Sequence, residues 1–206
     1  MAEAYELSAL EARQKIKDGT LTSERLMQSC LERINLRSDE VEAWTFIDPE
    51  LALLSAINSD KTGNLGPLGG LPIGIKDIID TKTMPTTYGS SIYGLNQPNK
   101  DAACVHKVRE HGGVILGKTV TTEFAWRNPG KTKNPHNPAQ TPGGSSSGSA
   151  AVIASHMAPL SIGSQTGGSV IRPASYCGVV GYKPSYGLIS RNGVLRTSYH
   201  LDHVGV

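Results

Sequence analysis

Charge is scarce in this 206-residue chain and nearly balanced: 20 Lys and Arg stand against 18 Asp and Glu, 18% of the residues together. Soluble domains usually carry about 25%. A formal net charge of +2 is far from the clustered positive excess of a polyanion-binding surface, so no nucleic-acid partner is expected. Long apolar runs are missing too. None approaches the ~18 residues of a membrane-spanning helix, and no membrane partner is expected. The three cysteines, Cys30, Cys104 and Cys177, are odd in number, widely spaced and without a CxxC pair. That pattern suits neither a disulfide framework nor a zinc site. The opening residues, Met1-Ala-Glu-Ala-Tyr-Glu6, are acidic and lack the basic and apolar regions of a signal peptide. Buried thiols in a cytoplasmic protein are the expectation, and Gly178-Val179-Val180 places Cys177 in apolar core rather than at a reactive site.

What the chain has in quantity is backbone punctuation. It holds 23 Gly and 12 Pro, about one residue in six against a usual one in eight. With 38% hydrophobic residues it is neither disordered nor fibrous, and a chain of this length can bury roughly 70% of its unfolded surface. A single domain over residues 1–206 is expected, with a helical lead-in over 1–64 and a motif-rich region over 65–206.

In the lead-in, Ser8-Ala9-Leu10-Glu11 is a capping box, and Gly19 is placed to stop the helix after Asp18. A second helix fits Thr22 to about Leu36, with Leu26, Cys30, Leu31 and Ile34 near helical spacing. Val41 to Phe46 alternates weakly as a strand, and Pro49 opens a third helix toward Asn58. From Leu65 onward short apolar runs, among them Ile73–Ile75, Val114–Leu116 and Val179–Val180, sit between Gly, Pro and Ser clusters. Asp101 to His111 reads as a helix ended by Gly112-Gly113. Strands alternating with helices predict an α/β fold, a mixed central β-sheet covered by helices.

Four segments invite a chemical reading. Gly112-Gly-Val-Ile-Leu-Gly117-Lys118-Thr119 matches the spacing of a phosphate-binding loop, but its middle positions are strand formers and a helix precedes it. A strand leading into a loop accounts for it better. Gly69-Gly-Leu-Pro-Ile-Gly-Ile-Lys76-Asp77 sets a lone lysine in an apolar surrounding. Burial would lower its pKa and make it a neutral base; pairing with Asp77 or another carboxylate at a strand end is the alternative. Pro142-Gly-Gly-Ser145-Ser-Ser-Gly-Ser149 has the composition of a flexible linker, yet it runs straight into the helix-forming Ala150–Ala154. A glycine-rich loop ending at a helix N-terminus suits an active-site wall. In Gly163-Ser-Gln-Thr166-Gly167-Gly168-Ser169, the glycines allow tight curvature and expose N–H groups beside a hydroxyl, as an oxyanion hole requires; a turn serine without a role is the alternative. The six histidines show no base–orienter pattern with these serines, so Lys76 is the better general base.

These segments together resemble the amidase signature family of serine hydrolases. Cys177-Gly-Val-Val-Gly-Tyr-Lys183-Pro184 and Tyr186-Gly-Leu-Ile-Ser190 fit as well, and the resemblance runs from about Leu7 to Val206, strongest over 65–184. Ser145 and Ser169 lie 24 residues apart, the family's interval between its two active-site serines. The resemblance implies Ser169 as nucleophile, Ser145 as bridging serine after a cis Gly144–Ser145 peptide, and Lys76 as base. It implies Thr166, Gly167, Gly168 and Ser169 as backbone donors to an oxyanion, a small-molecule amide as substrate, and no cofactor. Hydrolysis of a carboxylic amide through an acyl-serine is the implied reaction. The amidase subunit of a tRNA-dependent amidotransferase and a catalytically silent remnant are the alternatives; the short segment Phe124–Pro135 favours a free amidase. Gln165 stands where the family often has Asp, Arg172 follows Ser169 by three positions rather than two, and His200 replaces a common Ser. Family domains continue for about as long again, so the chain alone is expected to lack part of its sheet covering, to associate or form a homo-oligomer, and to have little activity.

Overall fold

Short polar signals set the first helices. Ser8 accepts from the Glu11 N–H at 3.3 Å while Glu11 accepts from the Ser8 N–H at 2.8 Å, opening α1 (Ala9–Lys17) with the expected capping box. Thr22 caps α2 (Ser23–Val41) by accepting from the Arg25 N–H at 3.0 Å. This helix runs past Leu36, because Arg37 to Glu40 holds neither Gly nor Pro, and stops where Glu42 turns left-handed at φ 51°. Val41 is therefore the end of a helix, and β1 is the shorter Trp44–Ile47. Asp48 and Pro49 start α3 (Pro49–Thr62), which continues beyond Asn58 to a left-handed Gly63 at φ 60°.

The computed structural model describes residues 3–63 and 66–206. The boundary expected between 64 and 65 falls on residues outside these. Beyond it follow β2 (Pro72–Lys76), α4 (Ala103–Glu110), β3 (Val114–Thr119), α5 (Ser147–Ala154), β4 (Leu160–Gln165), α6 (Ile171–Cys177) and β5 (His203–Gly205). The sheet order is β1-β3-β2-β4-β5. Its centre, β3-β2-β4, is parallel, and both edges are antiparallel. Every residue of β2 and β3 is buried, as parallel strands covered on both faces require. The fold is thus the expected α/β arrangement, a mixed sheet with six α-helices among the described residues. The lead-in supplies one edge of that sheet, with Ile47 of β1 opposite Gly117 of β3.

The core joins Leu26, Met27 and Cys30 of α2 to Ile73, Ile75, Ile115 and Leu116 of the sheet. All three cysteines are free and buried. Val179 and Val180 form no strand, and Val180 is exposed.

The glycine- and serine-rich stretch before α5 is an ordered part of the interior. Ser145 to Ala150 are buried, and backbone bonds fix the stretch from several sides. The Thr122 N–H donates to the Ser145 carbonyl at 3.1 Å, the Ser146 N–H to the Ser169 carbonyl at 3.1 Å, and the Gly148 N–H to the Val120 carbonyl at 2.9 Å. Gly148 is obligatory on distance alone. A Cβ there would lie 2.4 Å from both the Ala43 carbonyl oxygen and the Val120 nitrogen. α5 can therefore rest directly on the end of β3, and a linker reading of these residues does not hold.

Candidate active site

β2 ends at Lys76, whose side chain is fully buried. Its Nζ lies 2.6 Å from Ser145 Oγ, 2.8 Å from Ser164 Oγ and 3.5 Å from the Ser164 carbonyl oxygen. Among the described residues no carboxylate lies within ion-pairing distance of it. The alternative in which Lys76 pairs with Asp77 is thereby overturned. Asp77 turns instead to Lys118, 3.4 Å away, and accepts from the Thr87 hydroxyl and N–H. Desolvation without a counter-ion holds the Lys76 ammonium well below its ordinary pKa, with the field of Asp202 opposing. A neutral amine beside a serine hydroxyl can accept its proton.

Lys118, the lysine of the phosphate-loop-like segment, is equally buried but differently served. It lies inside β3 and donates to the Ile79 carbonyl at 2.8 Å and the Thr86 hydroxyl at 2.7 Å. Burial pulls its pKa down to about 8, with Asp77 opposing. Its segment is a central strand, as its residues suggest, and no phosphate-cradling loop exists there.

Ser145 is 2% exposed and follows a cis Gly144–Ser145 peptide. Arg172 reaches back from α6 and donates to the Gly144 carbonyl through Nε at 3.2 Å and Nη2 at 2.7 Å. Ser169 sits at the mouth of the site, 9% exposed, in the turn between β4 and α6. Gln165 makes that turn: its Oε1 accepts from the N–H groups of Val170 at 2.9 Å and Ile171 at 3.0 Å, folding the chain back on itself. Ser146 bolts the segment before α5 to β4, donating to the Ser164 carbonyl at 3.1 Å and accepting from the Ser164 N–H at 3.2 Å.

Thr166, Gly167 and Gly168 form the lip of the turn, with Gly167 exposed and its two neighbours half-buried. The N–H groups of Gly167, Gly168 and Ser169 donate to no other described residue, and the Ser169 hydroxyl is likewise unbonded among them. Three adjacent unengaged N–H groups beside a free hydroxyl can receive a developing oxyanion.

The structure thus brings Lys76 and Ser145 into direct contact and links them to Ser169 through the Ser146–Ser169 backbone bond. Ser164 lies within the last of the four motifs, where its neighbours give it no role. Its hydroxyl faces Lys76 because β4 and β2 are neighbouring parallel strands, a pairing no local pattern announces. Among the described residues no histidine hydrogen-bonds to Ser145 or Ser169; His136, for one, meets the Cys177 carbonyl at 2.9 Å. Burial pushes the Cys177 thiol up to about 11, which suits packing rather than nucleophilic attack. Among the described residues no cluster of His, Cys, Asp or Glu is placed to hold a metal ion, and no helix is long and apolar enough to cross a membrane.

Comparison with known proteins gives a consistent answer. The family described as Amidase matches residues 25–206. A glutamyl-tRNA(Gln) amidotransferase subunit of Lachnospira eligens is 43% identical over 208 residues, covering 96% of this chain and 43% of that protein. Its counterpart from Geobacter sulfurreducens is 42% identical, covering 98% and 44%. Among solved structures, the peptide amidase of Stenotrophomonas maltophilia superposes with a TM-score of 0.90 at 33% identity, over 97% of this chain and 44% of that one. A structure described simply as an amidase gives 0.89 at 36% identity, over 96% and 48%. The chain spans slightly under half the length of each of these relatives.

Proposed function

Because the chain belongs to the amidase family, we propose that it carries the reacting groups of an amidase, which cleaves a carboxylic amide to the acid and ammonia or an amine. One observation carries the reading: a fully buried lysine without a counter-ion lies 2.6 Å from a serine whose loop is bonded to that of a second, reachable serine.

In the proposed reaction neutral Lys76 takes a proton from Ser145, and Ser145 takes one from Ser169. The Ser169 oxygen attacks the carbonyl carbon of the amide. The two serine hydroxyls are not hydrogen-bonded to each other, and rotation of Ser169 toward Ser145 closes the relay. Negative charge on the former carbonyl oxygen faces the N–H groups of Thr166, Gly167, Gly168 and Ser169, preorganised by the Gln165 contacts. Collapse breaks the C–N bond, the proton returns through Ser145 to the leaving nitrogen, and water resolves the acyl-serine by the same route. None of these steps calls on a metal or an organic cofactor. A small amide is the proposed substrate, and a cytoplasmic setting suits the three unpaired buried thiols.

A second reading has its own support. Relatives at 42–43% identity are named as a subunit of glutamyl-tRNA(Gln) amidotransferase, so the chain could act on glutamine within such an assembly and meet tRNA there. Ammonia release from simple amides and from glutamine, with and without partner subunits, separates the two. Turnover of simple amides alone supports the free amidase; turnover of glutamine that depends on partner subunits supports the second reading. Absence of turnover together with absence of covalent labelling at Ser169 would overturn both.

A further inference from the structure

Asp202 lies far from the motifs in sequence, just ahead of the short edge strand β5, and is 8% exposed. Its carboxylate accepts four hydrogen bonds. The Thr166 hydroxyl donates at 2.5 Å, the Thr197 hydroxyl at 2.8 Å, and the N–H groups of Thr197 and Ser198 at 2.8 Å each. Thr166 and Thr197 also share a hydroxyl contact at 2.8 Å. Thr166 is the first residue of the turn that ends at Ser169, so the carboxylate fastens one end of the lip whose N–H groups stand free. The other end is held by Gln165 and α6. Between these anchors Gly167 and Gly168 have no side chain to fix them.

Asp202 also has an electrostatic relation to the buried amine. The groups facing Lys76 are Thr119 from β3, Ser164 from β4, Ser145 from the turn before α5, and Asp202 from the 197–202 turn. Only the last is charged. Lys118 and Asp77 form their own pair beyond the end of β2. On its outer side Asp202 lines a small cleft with Arg191, Arg196 and His203.

We propose that Asp202 is a positioning residue: through the Thr166 hydroxyl it holds the 166–169 turn in its oxyanion-receiving shape. The inference deepens the acyl-transfer reading and rests on it for its catalytic meaning. Its hydrogen bonds keep Asp202 ionised: burial raises its pKa, but the bonds from Thr166, Ser198 and Thr197 outweigh burial and leave it lowered.

The test uses readouts that do not need turnover. Lys76 is titrated by NMR with nitrogen-labelled lysine, and backbone order parameters are measured at Gly167 and Gly168, in the parent, Asp202→Asn, Thr166→Val and Thr166→Ser. Asp202→Asn should move the Lys76 titration to lower pH and lower the order parameters at both glycines from about 0.85, in the rigid range, toward about 0.6. Thr166→Val should lower the order parameters equally but leave the Lys76 titration in place; Thr166→Ser should match the parent in both. Arg191, Arg196 and His203 are kept in every variant, so their charges cancel from the comparison. Should Asp202→Asn fail to fold, Thr166→Val and its rescue by Thr166→Ser still test the turn. Unchanged order parameters in Thr166→Val, or loss of order in Thr166→Ser equal to that in Thr166→Val, overturns the proposal. Covalent labelling of Ser169, run alongside, reports on the hydrolase reading alone, so the two can fail independently.

Discussion

Lys76 and Lys118 are both fully buried on adjacent parallel strands, one residue out of register, and only Lys118 has a carboxylate partner. The pairing is Ile75 with Lys118 and Lys76 with Thr119, so the two side chains leave opposite faces of the sheet. One meets Asp77 at 3.4 Å; the other meets serine oxygens at 2.6 and 2.8 Å. The same residue type at the same depth is an ion-pair partner on one face and a candidate base on the other.

The first consequence is a pH limb. With its pKa held well below 10.5 by burial, Lys76 gains its lone pair as pH rises, so the rate of acylation at Ser169 should climb through that titration. Lys76→Ala should remove the limb and cost about 100-fold or more in rate, the usual contribution of a positioned base. Lys76→Arg should not rescue, because a guanidinium stays protonated. An arginine variant with near-parent rates would show that a fixed charge is all the site needs.

Stability should carry the same signature. Between the depressed folded pKa and the ordinary 10.5, the unfolded chain binds a proton that the folded chain does not, so stability rises with pH across that window. Lys118, pulled to about 8, adds its own rise only from there upward. Denaturant unfolding below pH 8 therefore isolates Lys76: Lys76→Met should flatten the dependence of stability on pH in that range. Equal slopes in parent and variant would mean that Lys76 keeps its proton on folding.

Gly148 offers a purely steric check. A methyl group there would meet backbone atoms at 2.4 Å, whereas one at Gly167 would meet nothing within 4 Å. Gly148→Ala should cost about 3 kcal/mol or more, at or above the top of the range for overpacked cores. Gly167→Ala should be nearly neutral for stability. Chemical denaturation of both decides it, and equal stabilities would contradict the close approach of α5 to β3.

The surface beside α5 makes a prediction about association. An open cleft of about 780 Å³ there is lined in part by Leu7, Ile153, Leu160 and Val180, and Val180 is 94% exposed. Apolar side chains grouped around such a cleft, with Val180 projecting beside it, offer a contact surface for a second copy of the chain. Sedimentation of the 206-residue chain should show concentration-dependent association that Val180→Lys weakens; a strict monomer at micromolar concentration would contradict it.

Much of the candidate site is legible in the sequence because its residues sit in locally unusual contexts. A lysine among Ile and Gly, serines packed with glycines ahead of an Ala-rich helix, and Gly-Gly-Ser before a Pro-containing helix each announce themselves. Capping residues likewise place α1 and α3, since Ser8 and Pro49 act on their own neighbourhood. What escapes depends on contacts between distant segments. Ser164 and Thr166 lie inside a motif, but their partners are set by the β2–β4 pairing and by a turn more than thirty residues on. Asp202 gives no local signal at all. The strand character of the Lys118 segment is plain from its residues, yet the partner of that lysine follows only from the sheet register. The C-terminal extension of α2 escapes for another reason: the polar residues Arg37 to Glu40 show no apolar stripe, although nothing in them stops a helix.

The most direct measurement is covalent labelling with a fluorophosphonate, read by mass spectrometry across pH. The account predicts one adduct, on Ser169, abolished in Ser169→Ala, slowed strongly in Lys76→Ala, and faster in the parent as pH rises through the Lys76 titration. An adduct on Ser145, or labelling of Ser169 at a rate indifferent to Lys76, would contradict it.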